Sequence, residues 1–167
     1  MSLIKAIETA VEMEAKIRDL YADARDQCDD EAGRRIFDTL RKDEQYHLDY
    51  LNRQLAALDD QGRLEDTPIK SFVPDKEQIK SVMDHLEKKM AEDDHGLIQQ
   101  MLSKALSLEV QTSDFYREMS VKFEGDARKM FSRFLEIEAS HILAVQYELD
   151  YVQKTGYWLG FKEFDME

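Results

Sequence analysis

The sequence predicts an all-α protein, a four-helix bundle of two antiparallel helical hairpins joined by a long crossover. Glycine and proline are scarce, at 6 and 2 of the 167 residues, which favours long helices with few tight turns. Four long segments repeat their apolar side chains at helical spacing. Within each half of the chain a short link separates two such segments, and a longer stretch separates the halves. Short links make antiparallel hairpins, and one long connection completes the bundle.

The first hairpin is predicted from helices over about residues 3–25 and 32–58. The apolar stripe of the first helix comprises Ile4, Ile7, Val11, Ile17 and Tyr21. The stripe of the second comprises Phe37, Leu40, Leu48, Leu51, Leu55 and Leu58. Only a few residues, around DQCDDEAG, lie between the two helices, so we expect them to fold back on each other.

The second hairpin is predicted from helices over about residues 97–123 and 127–154. The stripe of the first of these comprises Ile98, Met101, Ala105, Leu108, Tyr116, Met119 and Phe123. The stripe of the second comprises Phe131, Phe134, Ile142, Val145, Leu149 and Val152. The link between them is Glu124-Gly125-Asp126, which again predicts an antiparallel pair.

The crossover over about residues 59–95 differs in composition from the hairpins. It holds Gly62 and both prolines, Pro68 and Pro74. Within it, DKEQIKSVMDHLEKKM has apolar residues at helical spacing, and Pro74 lies near the start of a predicted short helix. An up-down-up-down bundle is the alternative, but simple antiparallel neighbours need only a short middle loop.

The chain ends in an aromatic tail, residues 156–167. Its rings, Tyr157, Trp158, Phe161 and Phe164, are too many for a free tail. We expect the tail to pack onto the bundle or onto a partner subunit. The whole of 1–167 is then a single domain.

Charge and cysteine content restrict the function. The net charge of −13 argues against nucleic acid and anionic membranes as partners. The single cysteine, Cys28, excludes an internal disulfide and a thiolate metal site. Acidic residues come too early in MSLIKAIETAVEMEAK for a signal sequence, and no apolar run approaches the roughly 18 residues of a membrane span. We therefore expect a soluble, cytoplasmic protein.

The two hairpins resemble each other in sequence. AVEMEAKIRDLYADA (10–24) aligns with ALSLEVQTSDFYREM (105–119) at an offset of 95, and RRIFDTLRKDEQYH (34–47) aligns with the last 14 residues of ARKMFSRFLEIEASH (127–141) at an offset of 94. Helical periodicity alone does not explain why rare polar residues on the apolar stripes recur at matching positions. The matching pairs are Glu14 with Glu109, Tyr21 with Tyr116, Glu44 with Glu138, and His47 with His141. The sequence is typical of a duplicated helical hairpin.

Six of these residues are candidate metal ligands, and all six share a face with leucine or other apolar side chains. Glu44 and His47 are three positions apart, so they project to one side of their helix, and Glu138 and His141 do the same. Each of the other two long helices adds one carboxylate, from Glu14 or Glu109. This pattern, one Glu from each of two helices and Glu-x-x-His from each of the other two, holds a dinuclear metal site in helical bundles.

The charge of this set favours metal. Four buried carboxylates without partners would cost several kcal/mol each, and lysine and arginine are largely absent from the stripes. Two divalent cations would balance the four carboxylates. The oxygen and nitrogen donors suit iron or manganese, with zinc as an alternative. The remaining histidines, His85 and His95, lie in or beside the crossover and are expected on the surface.

Tyr21 and Tyr116 each follow a predicted ligand by seven residues, which is roughly 10 Å along the same face. They are either hydrogen-bond donors or redox-active phenols near the metals, or core aromatics with a hydrated hydroxyl. Asp19 and Asp114 also recur in the repeat, but five residues from the glutamate they turn off its face, and a surface position is expected for both.

The order Glu14, Glu44-x-x-His47, Glu109, Glu138-x-x-His141, with a tyrosine after each lone glutamate, resembles the rubrerythrin branch of the ferritin-like superfamily over about residues 3–155. The resemblance implies a di-iron carboxylate site that reacts with hydrogen peroxide or dioxygen, in a homodimer or larger assembly. It also implies that the four glutamates bind iron, two of them bridging, and that each histidine caps one iron.

The chain departs from that family in two ways. It has no CxxC pairs and thus no rubredoxin domain, so electrons must come from a separate donor protein. Where rubrerythrins carry an extra carboxylate three residues after the third-helix glutamate, this chain has Thr112. We expect a di-iron oxidoreductase; the alternatives are an iron-handling protein that oxidises iron without peroxide turnover, and a metal-free interaction module.

Overall fold

The structure, a computed structural model, describes residues 1–83, 96–155 and 158. The described residues form helices and connecting segments, without a strand among them. The helices are α1 (Leu3–Gln27), α2 (Glu31–Gln61), α3 (Lys76–Met83), α4 (Gly96–Lys122) and α5 (Gly125–Thr155). The all-α prediction is confirmed, and α1, α2, α4 and α5 correspond to the four predicted long helices.

Helix α2 runs past its predicted end at residue 58. Asp59, Asp60 and Gln61 continue it as a polar turn that carries no apolar stripe, so periodicity could not reveal this turn. Gly62 ends the helix in the left-handed conformation, with φ of 68°, and its N–H donates to the Leu58 carbonyl at 3.0 Å.

The two hairpin links are short, and their ends are defined by side-chain and glycine caps. Asp30 caps α2, since its carboxylate accepts from the backbone N–H groups of Ala32 and Gly33 at 2.7 and 3.0 Å. Between α4 and α5, Gly125 has a φ of 60°, a conformation that favours glycine and allows the chain to reverse there.

The helices pack as α1 on α2, α4 on α5, α1 on α4, and α3 on α5. Tyr21 on α1 contacts Glu109 on α4, and Tyr116 contacts Glu14, so α1 and α4 run antiparallel. Because α1 is also antiparallel to α2, helices α2 and α4 run parallel. The crossover must therefore return along the bundle, a course that an up-down-up-down bundle does not have.

The crossover is partly described. Ile69 and Val73 in its extended stretch are buried, and Ile79 on α3 is fully buried. The predicted crossover helix is present over Lys76–Met83, and the rest of it lies outside the described residues, as do His85 and His95.

Two apolar clusters fill the bundle, one on each side of a buried polar layer. The first includes Ile17, Tyr21, Phe37, Leu40, Leu102, Val145 and Trp158. The second includes Ile7, Leu51, Tyr116, Met119, Phe131, Phe134 and Ile137. The predicted ligands lie between the two clusters, in the centre of the bundle.

The tail contributes one described residue to the bundle. Trp158 is 9% exposed and packs edge-on against Phe37, with ring centroids 5.3 Å apart. The other tail aromatics, Tyr157, Phe161 and Phe164, lie outside the described residues. None of the helices in the described part of the chain is long and apolar enough to cross a membrane.

Candidate metal centre

All six predicted ligands point into the centre of the bundle, and each is 0% exposed. They come from four helices: Glu14 from α1, Glu44 and His47 from α2, Glu109 from α4, and Glu138 and His141 from α5. The helical spacing explains this convergence, because each ligand occupies a position that its apolar neighbours also direct inward.

One group of ligand atoms forms around His47. Its Nδ1 lies 3.2 Å from Glu14 Oε2 and 3.3 Å from Glu44 Oε2. One donor atom from each of the three residues falls within 4.8 Å of the others, which is a spacing that a single ion can bridge.

A second group forms around His141. Its Nδ1 lies 2.9 Å from Glu44 Oε1 and 3.7 Å from Glu109 Oε2, and these three residues also meet the 4.8 Å spacing. Glu44 belongs to both groups and directs one oxygen to each histidine. Its two oxygens are therefore shared between the two groups.

Six buried atoms of these ligands have no hydrogen-bond partner: Glu44 Oε1, His47 Nε2, Glu109 Oε2, Glu138 Oε1, Glu138 Oε2 and His141 Nδ1. Although His141 Nδ1 and Glu44 Oε1 are 2.9 Å apart, their alignment does not make a hydrogen bond. A buried polar atom without a partner costs about 1–3 kcal/mol, more if it is charged.

Glu138 falls in neither of these groups, although the repeat predicts it as a ligand. Its side chain is nonetheless fully buried, with both carboxylate oxygens unpartnered. Burial, followed by the charges of Glu109 and Glu14, raises the pKa of Glu138 well above its ordinary value. Glu138 thus faces the same charged centre without contacting either histidine at hydrogen-bond distance.

The tyrosines bond to the ligands, and each crosses to the other hairpin. The Tyr21 hydroxyl donates to Glu109 Oε1, and the Tyr116 hydroxyl donates to Glu14 Oε1. Burial and the adjacent carboxylates raise the pKa of both phenols well above 10, so both remain proton donors. The alternative of a hydrated core hydroxyl is wrong for both residues.

Sequence reasoning missed Asp43, which is 0% exposed and lies beside the site. His141 Nε2 is 2.8 Å from Asp43 Oδ2. The crossover holds the same carboxylate, through the Ser71 hydroxyl and through the Phe72 backbone N–H at 2.7 Å. The available signal was its position four residues before His47, on the same helix face. Its repeat counterpart is Ile137, so the duplication gave no hint of it.

Asp43 contacts the imidazole edges that face away from the glutamates. Its Oδ2 also lies 3.8 Å from His47 Nε2, so Asp43, His47 and His141 form a third group of possible donors. The Nδ1 atoms of both histidines face the glutamates. Asp43 therefore contacts His141 at Nε2, on the opposite edge of the ring. A hydrogen bond from Nε2–H to a carboxylate fixes the tautomer that leaves Nδ1 free to bind metal.

No lysine or arginine is buried among the described residues, so no basic side chain neutralises the centre. Burial and the charge of Glu14 raise the pKa of Glu44 to about 8. Burial lowers the pKa of His47, but hydrogen bonds to Glu14 and Glu44 outweigh it and raise this pKa to about 10. For Glu14 the effects are reversed: burial raises its pKa, but hydrogen bonds from Glu44 and His47 outweigh burial and lower the pKa to about 2. Without metal, protons on both histidines, on Glu44 and on Glu138 offset part of the negative charge.

Asp19 and Asp114 lie on the surface, with side chains 66% and 64% exposed. Each pairs with a nearby arginine, Arg18 or Arg117, rather than with a histidine of the site. Thr112 is buried one turn after Glu109, where it can supply a hydroxyl but no charge.

The buried donor groups could hold a metal ion. They offer carboxylate oxygens and imidazole nitrogens, and none of the three groups contains a thiolate. Comparison of the chain with family models, curated proteins and solved structures gives no match.

Proposed function

We propose that the protein is a dinuclear metal oxidoreductase of the rubrerythrin-like, ferritin-like type. It would hold two iron ions and reduce hydrogen peroxide, or react with dioxygen, with electrons from a separate donor protein. The observation that carries the proposal is the set of six unpartnered, fully buried atoms of the predicted ligands, in a centre where no lysine or arginine of the described residues is buried.

Each residue has a defined role in this proposal. Glu14 and His47 would hold one ion, Glu109 and His141 would hold the other, and Glu44, which belongs to both groups, would contribute to each. Glu138, whose oxygens are free, completes the charge balance of four carboxylates against two divalent cations. When bound, iron supplies the electrons that reductively cleave an O–O bond and the Lewis acidity that polarises it.

The chain itself orients the ligands and excludes water. Tyr21 and Tyr116 each donate to one oxygen of a lone glutamate, which leaves the other oxygen of that residue for the ion. Asp43 fixes the ring of His141. The two apolar clusters close the centre on both sides, so charges inside it interact at low dielectric.

Metal analysis and rapid kinetics test the proposal. Protein purified without chelator should contain about two metal ions per chain, by the six-ligand pattern. After loading with ferrous iron and mixing with peroxide in a stopped-flow instrument, it should oxidise much faster than in aerated buffer. A metal-free preparation that also does not bind added iron would overturn the metal site. Oxidation by peroxide that is no faster than oxidation in aerated buffer would overturn the activity.

A matched pair of variants links the result to the site. Glu14→Gln removes a buried ligand, whereas Glu12→Gln changes an exposed carboxylate two residues away on α1. We expect metal content to fall in the first variant and to stay unchanged in the second.

Iron handling through ferroxidation is the second candidate, and Thr112 is the observation that favours it. An uncharged side chain stands where a further carboxylate would support peroxide chemistry in rubrerythrins. Dioxygen-driven oxidation without peroxide turnover would support this candidate. Storage also needs a cage-like assembly, so a dimer in light scattering would count against storage and agree with the expected homodimer.

A further inference from the structure

A tryptophan from the tail lies at one end of the first apolar cluster, directly over Gly33. A Cβ at Gly33 would lie 2.3 Å from Trp158 Cε2 and 2.6 Å from Cys28 Sγ. Glycine is therefore required at this position for the indole to approach α2 so closely. The indole is 9% exposed, at the border between the core and solvent.

From Trp158, aromatic rings lead inward to the candidate metal centre. The Trp158 ring meets Phe37 edge-on with centroids 5.3 Å apart, and Phe37 lies 6.3 Å from Tyr21. The Tyr21 hydroxyl then donates to Glu109, one of the predicted ligands. Three consecutive contacts thus join the protein border to a ligand carboxylate.

Among the described residues, the rings around Tyr116 in the other half of the chain do not lead to an indole. Tyr116 makes the equivalent bond to Glu14, but its ring lies among phenylalanines, with Phe134 stacked at 4.7 Å and Phe131 at 6.1 Å. Phe134 in turn contacts Tyr50, whose hydroxyl donates to a backbone carbonyl. Trp158 is the one tryptophan of the sequence, so only the Tyr21 side can end in an indole.

Tryptophan and tyrosine are the aromatic side chains that lose an electron most readily, and electron tunnelling slows steeply with distance. We propose that Trp158, acting through Phe37, and Tyr21 form a one-electron transfer route between the protein border and the metal centre. The route rests on the proposed function, because peroxide or dioxygen at the centre supplies the oxidising equivalent.

Each electron transfer along the route is accompanied by the transfer of a proton. Tyr21 gives one electron to the oxidised centre and its phenolic proton to Glu109. Trp158 then gives one electron to Tyr21 through Phe37, and the proton returns from Glu109 to the phenol. The oxidised indole loses its N–H proton to water, and a soluble one-electron reductant, such as ascorbate or a thiol, restores the electron while water returns the proton.

Pulse radiolysis of the metal-free protein tests the route independently of metal binding. Azide radicals oxidise tryptophan, and tryptophanyl and tyrosyl radicals absorb at different wavelengths. The background is Tyr157→Phe, because Tyr157 adjoins Trp158 in sequence. We expect the tryptophanyl signal to convert to a tyrosyl signal at a rate independent of protein concentration.

Three variants in that background locate the route. Tyr21→Phe should abolish the conversion and prolong the tryptophanyl signal, whereas Tyr46→Phe, the control at a half-buried tyrosine outside the route, should leave both unchanged. Gly33→Ala keeps both redox side chains but displaces the indole, so it should slow the conversion. Conversion at the original rate in Tyr21→Phe or Gly33→Ala, or none in the background protein, would overturn the route. Circular dichroism checks that each variant is folded.

The result separates the two proposals. Conversion in the metal-free protein, together with failure to bind iron, would keep the aromatic route and reject the metal oxidoreductase. Metal binding and rapid peroxide reaction without the conversion would keep the oxidoreductase and reject the route.

Discussion

The hydroxyl of Tyr116 donates a hydrogen bond to Glu14 Oε1, although the two residues are 102 positions apart in the chain. Tyr21 and Glu109 make the reciprocal bond between the same two helices, α1 and α4. All four side chains are fully buried. The two bonds therefore hold the hairpins together at the centre where the ligands meet.

Removal of either phenol should destabilise the metal-free protein. Tyr116→Phe and Tyr21→Phe each leave a buried carboxylate oxygen without its donor, at a cost of about 1–3 kcal/mol. Urea denaturation of the chelated protein measures the loss. Tyr46→Phe, at a half-buried tyrosine, is the control and should change little. Equal stability of Tyr116→Phe and wild type would mean that the bond contributes nothing in solution.

Asp43→Asn should weaken metal binding without removing a proposed ligand. The amide oxygen of asparagine accepts the hydrogen bond from His141 Nε2 less strongly than the carboxylate does. It also removes the negative charge beside the imidazole. Loss of such an outer partner typically lowers metal affinity about 10–100-fold. Competition with a coloured chelator measures the affinity. The matched control is Asp38→Asn on the same helix, where the carboxylate pairs with Arg41 and Lys42 near the surface. An unchanged affinity in Asp43→Asn would remove Asp43 from the site.

Glu138→Ala should lower the metal content, even though Glu138 lies outside the groups centred on the histidines. Its two free oxygens are the only unpartnered pair on one side chain among the buried atoms of the described residues. Elemental analysis of the purified variant measures the effect. Glu136→Ala, which removes a carboxylate 66% exposed to solvent and two positions away, should retain full metal content. Full occupancy in Glu138→Ala would show that three glutamates suffice.

The metal-free protein should lose stability as the pH rises, whereas metal binding should strengthen. Glu44 and His47 have folded-state pKa values raised from 4.5 to about 8 and from 6.5 to about 10. The stability that their protons contribute is fully present below the lower, unfolded value of each pair and is lost as the pH rises through the higher, folded value. Metal must displace the same protons, so its affinity rises with pH. Thermal melts of chelated and loaded protein between pH 6 and 9 should diverge. If the melting temperatures of the chelated and loaded proteins changed with pH in parallel, the predicted opposite pH dependence would be wrong.

Gly33→Ala should expel the indole of Trp158 from the hairpin. The added methyl would overlap ring atoms at 2.3 and 2.5 Å, closer than carbon atoms can approach. Because the chain has one tryptophan, its fluorescence reports this directly and should shift to the red with greater quenching by acrylamide. An unshifted spectrum would show that the ring stays in place.

The fold was largely predictable because four apolar stripes mark four long helices and the loop lengths restrict their connections. The burial of the six polar side chains was predictable for a related reason: each glutamate or histidine interrupts an apolar stripe, and the internal repeat shows the same interruption twice. Their role as metal ligands stays a prediction. Asp43 escaped because Ile137 stands at its repeat position and its crossover partners, Ser71 and Phe72, are brought to it only by the folded chain.

The partners of the tyrosines could not be predicted from spacing. Tyr21 follows Glu14 on the same helix face, yet it bonds to Glu109 on α4. The tyrosines bond to the opposite helix because α1 and α4 run antiparallel. This orientation places the tyrosine of each helix beside the glutamate of the other. Local periodicity carries no information about that pairing.

The crossed bonds of Tyr21 and Tyr116 make the contact between the two hairpins reciprocal. Each hairpin supplies the phenol that donates to the other hairpin's glutamate. This is the contact pattern of a symmetric dimer, in which each copy gives what it receives, and here it lies within one polypeptide. Asp43 breaks that equivalence, because Ile137 stands at its repeat position in the second hairpin.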